Sequence, residues 1–195
     1  MPSWHTVPAV ASRALRSAVV LAFSFAATPA AAIEGQHHLG LAPTLSILKV
    51  DSKSTASVGG GGALHYTYGL TDAWNFTAEA SSAIVARNQG QDNPGSPRDR
   101  PATVSQLSVG TTYVIDILQW VPYIGLQGGV YQLTGGTLPD PLFIAGAAVS
   151  VGIDYQLSRS FAVGIGGRQH FLLSRMATYP SYTTVGLRVE FMWGY

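Results

Sequence analysis

The sequence has no cysteine, few charged residues and no long apolar run beyond its N-terminal segment. The absence of Cys excludes disulfides and Cys-based metal sites and is compatible with an oxidising compartment. Charged residues make up 11% of the chain, whereas an average soluble domain has roughly 25%. After residue 32 no stretch of about 18 apolar residues runs unbroken, so no transmembrane helix is available there. Such a composition favours a closed β-barrel, in which strands satisfy one another's backbone hydrogen bonds.

The charge balance and the histidines point to few kinds of ligand. The formal net charge is +1, which indicates no nucleic-acid partner. His37 and His38 are adjacent, but neighbouring residues on a strand face opposite ways. We therefore treat this pair as the irregular start of the first strand, and we expect neither a metal site nor a cofactor.

The N-terminal segment has the pattern of a secretory signal peptide. Residues 1–17 carry two positive charges and no negative charge, and the apolar run AVVLAFSFAA follows at 18–27. Small residues then lead to a cleavage site expected near Ala32 and Ile33. The apolar run is too short to span a bilayer as an anchor. We predict that residues 1–32 are a signal peptide and that residues 33–195 form the barrel domain.

Residues 185–195 show the clearest alternation in the chain. Apolar side chains occupy every second position, namely Val185, Leu187, Val189, Phe191, Trp193 and Tyr195. The intervening positions are Gly186, Arg188, Glu190, Met192 and Gly194. Strict alternation over this length predicts a strand with two unlike faces.

The same alternation predicts further strands upstream. Their apolar faces include Leu39, Leu64, Phe76, Leu107, Ile124, Val149 and Ile165. Each segment has roughly ten residues or more, the length that a tilted membrane strand needs. We predict an all-β fold, a single closed antiparallel up-and-down transmembrane barrel of about eight strands.

The predicted connections alternate in length. Short turns are expected at 71–73, 116–121 and 156–160. Longer polar stretches are expected at 50–57, 87–101, 132–141 and 173–181. Short turns at one end and long loops at the other are typical of outer-membrane barrels, whose long loops face outside the cell. An even number of strands then places both ends of the barrel segment on the periplasmic side.

Charged residues in the predicted strands avoid the apolar faces. A charge on the lipid face at mid-membrane costs roughly 2–4 kcal/mol. Alternation instead predicts a polar network inside the barrel, formed by His65, Glu79, Asp154, Arg168, Arg188 and Glu190. Because buried charges need partners of opposite sign, we interpret this network as structural salt bridges that fill the lumen. The alternative is a gate whose re-pairing opens a narrow pore.

Aromatic residues concentrate near the predicted short turns. This set comprises Tyr68, Trp74, Phe76, Tyr113, Trp120, Tyr155, Phe161, Trp193 and Tyr195. Such a ring is typical of the headgroup level of a membrane. We also predict a thinner ring at the loop end, formed by Tyr66, Tyr131, Phe143, Phe171 and Tyr182.

Three segments resemble hairpins of small outer-membrane β-barrels of the OmpA, OmpX and OmpW type, namely YGLTDAWNF (68–76), VPYIGLQGGVY (121–131) and VGIDYQLSRSFAVGIGGRQHF (151–171). The resemblance covers about residues 37–195. The last strand, with Phe191, Trp193 and Tyr195, is similar to the C-terminal strand that the barrel-assembly machinery reads in such proteins. The resemblance implies the outer membrane of a Gram-negative bacterium. It implies as partners the outer-membrane lipids and lipopolysaccharide, together with the assembly machinery, and it gives no extracellular ligand.

We expect a structural or surface-interacting role without catalysis, and the alternative is a narrow, OmpW-like channel for small or apolar solutes. A lipid A-modifying enzyme on this scaffold would need a Ser nucleophile with a His base and a carboxylate. His170 and Ser174 are the only such close pair near a loop. His170 is predicted to face inward, and the residue two positions further is Leu172, so an enzyme is not expected. The polar loop 87–101 is interpreted as a solvated loop.

A soluble lipocalin-like barrel is the main competing architecture. Its apolar face would enclose a ligand, and its exterior would carry the charges. Here the face opposite the apolar one holds Arg188, Glu190 and many glycines. This face suits a packed polar lumen better than a solvated exterior.

Overall fold

The computed structural model describes residues 34–50, 56–85, 99–115 and 119–194. These residues form the strands β1 (His37–Lys49), β2 (Ser57–Gly69), β3 (Trp74–Val85), β4 (Thr103–Val114), β5 (Trp120–Thr134), β6 (Leu142–Gln156), β7 (Phe161–Phe171) and β8 (Ser181–Trp193). A short 3₁₀ helix, η1 (Leu173–Arg175), lies between β7 and β8. The predicted signal peptide (1–32) and Tyr195 lie outside the described residues. Within the described ranges, no helix is long and apolar enough to cross a membrane.

The eight strands close into one antiparallel up-and-down barrel, as the sequence predicted. Each strand pairs with its neighbours in chain order, and β1 closes the sheet by pairing with β8. The register path that leaves β1 at His37 and crosses each strand in turn returns to β1 at Ile47. This stagger shows that the strands tilt strongly against the barrel axis.

The alternation in the sequence becomes an inner and an outer face. On β8, Leu187 and Val189 are exposed on the outside, whereas Glu190 is buried inside. Large apolar side chains are exposed on the outer face of every strand, in the manner of a lipid-facing belt. The predicted division of the strands into apolar and polar faces is confirmed.

The loop end of the lumen is filled by apolar side chains. This loop-end core consists of Leu48, Val50, Val85, Val104, Tyr131, Leu133, Ile144, Leu172, Tyr179 and Tyr182. All of them are almost completely buried, and Leu138 and Leu142 pack against them. The barrel is therefore apolar on both faces at this end.

The predicted aromatic ring at the turn end is found among the described residues, but the loop-end ring is largely wrong. Outward rings contact each other in pairs near the turns, as in Trp74 with Tyr113 at 5.1 Å. Tyr131 and Tyr182 instead point into the loop-end core, because each has the inward parity of its strand. Tyr66 lies near the turn end and bonds His37 through its hydroxyl (2.7 Å).

The seam between β1 and β8 is interrupted near its middle. The paired residues pass from Leu41 with Val189 to Thr44 with Gly186, and they omit Ala42 and Pro43. Proline has no backbone N–H to donate to a sheet. The β1–β8 pairing that closes the barrel is therefore a discontinuous hydrogen-bond ladder.

Candidate functional site

The turn half of the lumen contains all six residues predicted to form the polar network. They project inward from β2, β3, β6, β7 and β8. The structure brings them together as two clusters. One is centred on Glu190 and the other on Glu79.

Glu190 on β8 is the centre of the larger cluster. Its Oε1 lies 2.6 Å from Nε2 of His65, and its Oε2 lies 3.1 Å from Nδ1 of His38. Arg188 donates to the same carboxylate and also lies 3.6 Å from Asp154. The guanidinium of Arg188 rests over the Tyr123 ring, 4.5 Å from its centroid. Both charges of the central pair are thus surrounded by polar or aromatic partners, as burial requires.

Inward glycines allow partners two strands apart to meet. Gly40 pairs with His65 on one side and with Glu190 on the other. A Cβ at Gly40 would collide with the His65 ring. Gly164 lies in the same way between Asp154 and Arg188. These glycines give polar side chains the room that a wider barrel would provide.

The smaller cluster crosses the lumen from β7 to β3. Arg168 contacts both carboxylate oxygens of Glu79, with Nη1 donating to Oε1 at 2.6 Å. Gln106 on β4 donates to the same Oε1 at 2.9 Å. A two-pronged guanidinium–carboxylate contact with an added amide bond is a strong buried arrangement. It ties opposite walls of the barrel together.

A cavity of about 70 Å³ lies beside the two clusters. Its deeper wall includes Arg168, Gln127 and Ser150, and it reaches the turn end at Val114 and Met192. None of the residues of the loop-end core lines it. Among the described residues, the turn half of the lumen thus holds a well, called the polar well below, whose deeper residues are polar and which does not reach the loop-end core.

Sequence reasoning missed two members of the larger cluster, His38 and Tyr123. His38 has the inward parity of β1, and alternation was the signal that indicated it. Tyr123 lies over Gly152 and Gly166, which follow it along a row of paired residues. A large residue opposite consecutive glycines is a signal of close packing, but it is visible only once the register is known.

The residues weighed for catalysis are not brought together. His170 faces inward as predicted, where its Nδ1 bonds the Tyr131 hydroxyl (2.9 Å) and its Nε2 bonds Thr184 (3.0 Å). Ser174 is exposed in η1. Across the described part of the chain, no group of three or more His, Cys, Asp or Glu side chains is placed to hold a metal ion.

The loops above the core are tied together where they are described. Arg100 and Thr137 exchange bonds, from the Arg100 N–H to Thr137 Oγ1 (2.8 Å) and from the Thr137 N–H to the Arg100 carbonyl (3.0 Å). The Tyr179 hydroxyl donates to the Asp99 carbonyl (3.1 Å). Burial raises the pKa of Tyr179, so the hydroxyl stays protonated as a donor. These contacts join three loops over the apolar end of the lumen.

Solved structures show what this barrel resembles, although no protein-family model and no curated protein matches the chain. The chain is similar to Neisserial surface protein A (NspA) at 12% identity, over 83% of this chain and 100% of that one, with a TM-score of 0.60. Ail, the attachment invasion locus protein of Yersinia pestis, is 14% identical over 83% and 100%, with a TM-score of 0.53. The N-terminal β-barrel domain of Pseudomonas aeruginosa OprF is 13% identical over 82% and 99%, with a TM-score of 0.51.

These similarities define the fold of the chain. It has the closed eight-stranded barrel of small outer-membrane proteins. Each similar structure is covered almost completely, whereas the identities are low. The shared property is therefore the barrel.

Proposed function

We propose that the chain is an integral outer-membrane protein whose sealed barrel has a structural or surface-interacting role and no catalytic activity. The observation that carries this proposal is the loop-end core. It fills the lumen with apolar side chains while the outer face remains apolar as well. A barrel closed in this way can hold loops at a membrane surface, but it offers no continuous aqueous path.

The outer face supports the membrane location. Exposed Leu, Ile, Val, Phe and Trp side chains surround the barrel. If the protein were in water, a partner would have to cover these side chains around the whole circumference of the barrel. A lipid bilayer supplies such surroundings. We accordingly propose outer-membrane lipids, including lipopolysaccharide, as the partners of this belt, after export through the periplasm.

The membrane location is tested by heat-modifiability. We expect the protein in an outer-membrane fraction to migrate differently on a detergent gel before and after boiling, because a closed barrel resists detergent until heated. A protein found in the soluble fraction, with no mobility shift, would overturn the membrane proposal.

The sealed lumen is tested by conductance in a planar bilayer. We expect no stable single-channel steps from the wild-type protein or from Arg188→Ala, because the seal lies at the loop end and Arg188 lies in the turn half. Tyr131→Ala combined with Tyr182→Ala removes two rings from the core and is expected to produce steps. Stable wild-type steps that Arg188→Ala abolishes would establish the narrow channel instead.

The joined loops support a surface role. Ail has also been solved with the heparin analogue sucrose octasulfate, and NspA is by name a surface protein. By analogy we propose that the loop end of this chain, with its Arg100–Thr137 and Tyr179 contacts, is the part that meets external molecules. Cells producing the protein should bind immobilised sulfated polysaccharide more than cells with the empty vector. Equal binding by the two kinds of cells would contradict the proposal that the loop end binds sulfated polysaccharide.

The barrel-assembly machinery remains a proposed partner during biogenesis. Phe191 and Trp193 are exposed on the outer face of β8, with ring centroids 5.7 Å apart. We expect Phe191→Ala with Trp193→Ala to reduce the amount of heat-modifiable barrel in the outer membrane. Unchanged assembly would contradict a signal in this strand.

A further inference from the structure

The polar well in the turn half has no part in the role proposed above. It is a cavity of about 70 Å³ inside a folded barrel. A cavity needs roughly 10–15 Å³ of such volume to hold one water molecule. The well therefore has room for several waters or for one small solute.

Both guanidiniums around the well are already paired with carboxylates. Arg188 contacts Glu190 and Asp154, and Arg168 contacts Glu79. The three carboxylates outnumber the two guanidiniums, so an added anion would enter the lumen without a free positive partner, which is costly at low dielectric. The well therefore disfavours anions, and its neutral amide and hydroxyl lining favours an uncharged occupant over a cation.

The rest of the polar lining consists of neutral hydrogen-bonding groups. Amides and hydroxyls are contributed by Asn75, Thr77, Thr112, Gln127 and Ser150. Thr77 and Thr112 bond each other (3.0 Å), and Gln127 accepts from Ser108 through Oε1 (3.3 Å), a bond that does not engage its amino group.

The amino group of a buried amide near the turn end of the well has no partner among the described residues, although the oxygen of this amide lies 3.2 Å from Nε2 of His38. Gln36 is 2% exposed and lines the well, and its Nε2 has no hydrogen-bond partner in the described structure. A buried donor without a partner is costly. An occupant with hydroxyl or carbonyl oxygens would supply the missing acceptor.

We propose that this well binds one small uncharged solute that carries hydroxyl or amide groups, such as a polyol. The solute enters from the turn end, since the loop-end core closes the other side. Its oxygens and N–H or O–H groups bond the amide and hydroxyl wall, while the ion pairs stay intact. The inference depends on the barrel lumen and not on the biological role of the loops.

The test uses side-chain amide signals in ¹⁵N NMR spectra of the full barrel in detergent micelles. The probes are glycerol and urea, with glutamate and lysine as charged comparisons. We expect saturable shifts of the Asn75, Gln127 and Gln36 amide signals with the neutral probes only. Gln132 and Gln169 lie on the outer face and serve as internal controls that should not shift.

A matched pair of variants identifies the site. Gln127→Leu removes an amide from the well and should weaken binding about tenfold, the effect of losing one hydrogen bond. Gln132→Leu makes the same change on the outer face and should leave the affinity unchanged.

Three outcomes would overturn the proposal. The first is the absence of saturable shifts with either neutral probe, which would mean that the well holds only water. The second is equal shifts of the Gln132 and Gln169 signals. The third is stronger binding of glutamate or lysine. All are independent of the conductance experiment, because a well can bind a solute in a sealed or an open barrel.

Discussion

The two halves of the lumen solve the same packing problem with opposite chemistry. The turn half is filled by ion pairs, amides and glycines around a cavity, with Glu190 and Glu79 at its centres. The loop half is filled by leucine, isoleucine, valine and tyrosine without charge pairs in its core. Polar contents require every partner to be present, whereas apolar contents require shape alone. The difference predicts which substitutions each half tolerates.

The largest effect is expected from breaking the Glu79–Arg168 pair in the turn half. Glu79→Ala leaves Arg168 buried without a counter-charge and should lower the free energy of unfolding by about 3–5 kcal/mol. Urea unfolding in lipid vesicles, followed by Trp fluorescence, measures it. Glu79→Leu combined with Arg168→Leu should recover much of the loss. A single variant as stable as wild type would show that the pair contributes little.

The loop half should respond through cavities. Leu133 is 0% exposed and Leu107 on the outer face is 65% exposed. Leu133→Ala should cost about 2–5 kcal/mol, because a cavity remains. Leu107→Ala should cost only about 2 kcal/mol, the transfer contribution, since lipid chains refill the space. Equal losses in the same unfolding assay would contradict a closely packed core.

The glycines sharpen the comparison at a smaller scale. Gly40→Ala places a methyl group against the His65 ring and should cost about 1–3 kcal/mol. Gly60 faces outward, where the nearest atom to an added Cβ is the Thr44 carbonyl oxygen at 3.8 Å. Gly60→Ala should therefore be neutral or stabilise by about 0.5–1 kcal/mol. The thermal unfolding midpoints of the two variants measure the difference. Equal midpoints would contradict the claim that Gly40 is required because its surroundings leave no space for a Cβ atom.

The smallest effect is expected where the two halves meet. Tyr131→Phe removes the hydroxyl that bonds His170 and should cost about 0.5–1.5 kcal/mol. Tyr155→Phe removes a partly buried bond to Gln119 near the turn end, where water can replace it, and should have almost no effect. Urea unfolding compares the two variants. A larger loss in free energy of unfolding for Tyr155→Phe than for Tyr131→Phe would contradict the prediction that the buried bond contributes more.

The sequence was sufficient to predict which residues face inward and which face outward. It was insufficient to predict which inward side chains contact each other. Alternation is local, so it placed Leu187 outside and Arg188 inside from neighbouring residues alone. The contact between His65 and Glu190 depends on the registers of β2 and β8 with Gly40 between them. Register is a long-range property, and no local pattern contains it.

The sequence contained a signal for the loop-end core, but a search for alternating apolar residues overlooked it. Adjacent apolar pairs occur at the loop ends of strands, as in Ile47–Leu48 and Ile84–Val85. One member of each pair faces outward and the other enters the core. Counting apolar residues on the inward parity alone would have identified an apolar lumen at this end.

The break in the β1–β8 seam has a consequence for the motions of the barrel. These two strands are not joined by a turn, and their ladder omits Ala42 and Pro43. Local opening starts where the fewest backbone bonds must break. Of the adjacent amides of Gly186 and Leu187, the one that points toward β1 should therefore exchange hydrogen for deuterium sooner than the amides in the uninterrupted β5–β6 ladder. The barrel should thus open locally between β1 and β8, where the first strand pairs with the last.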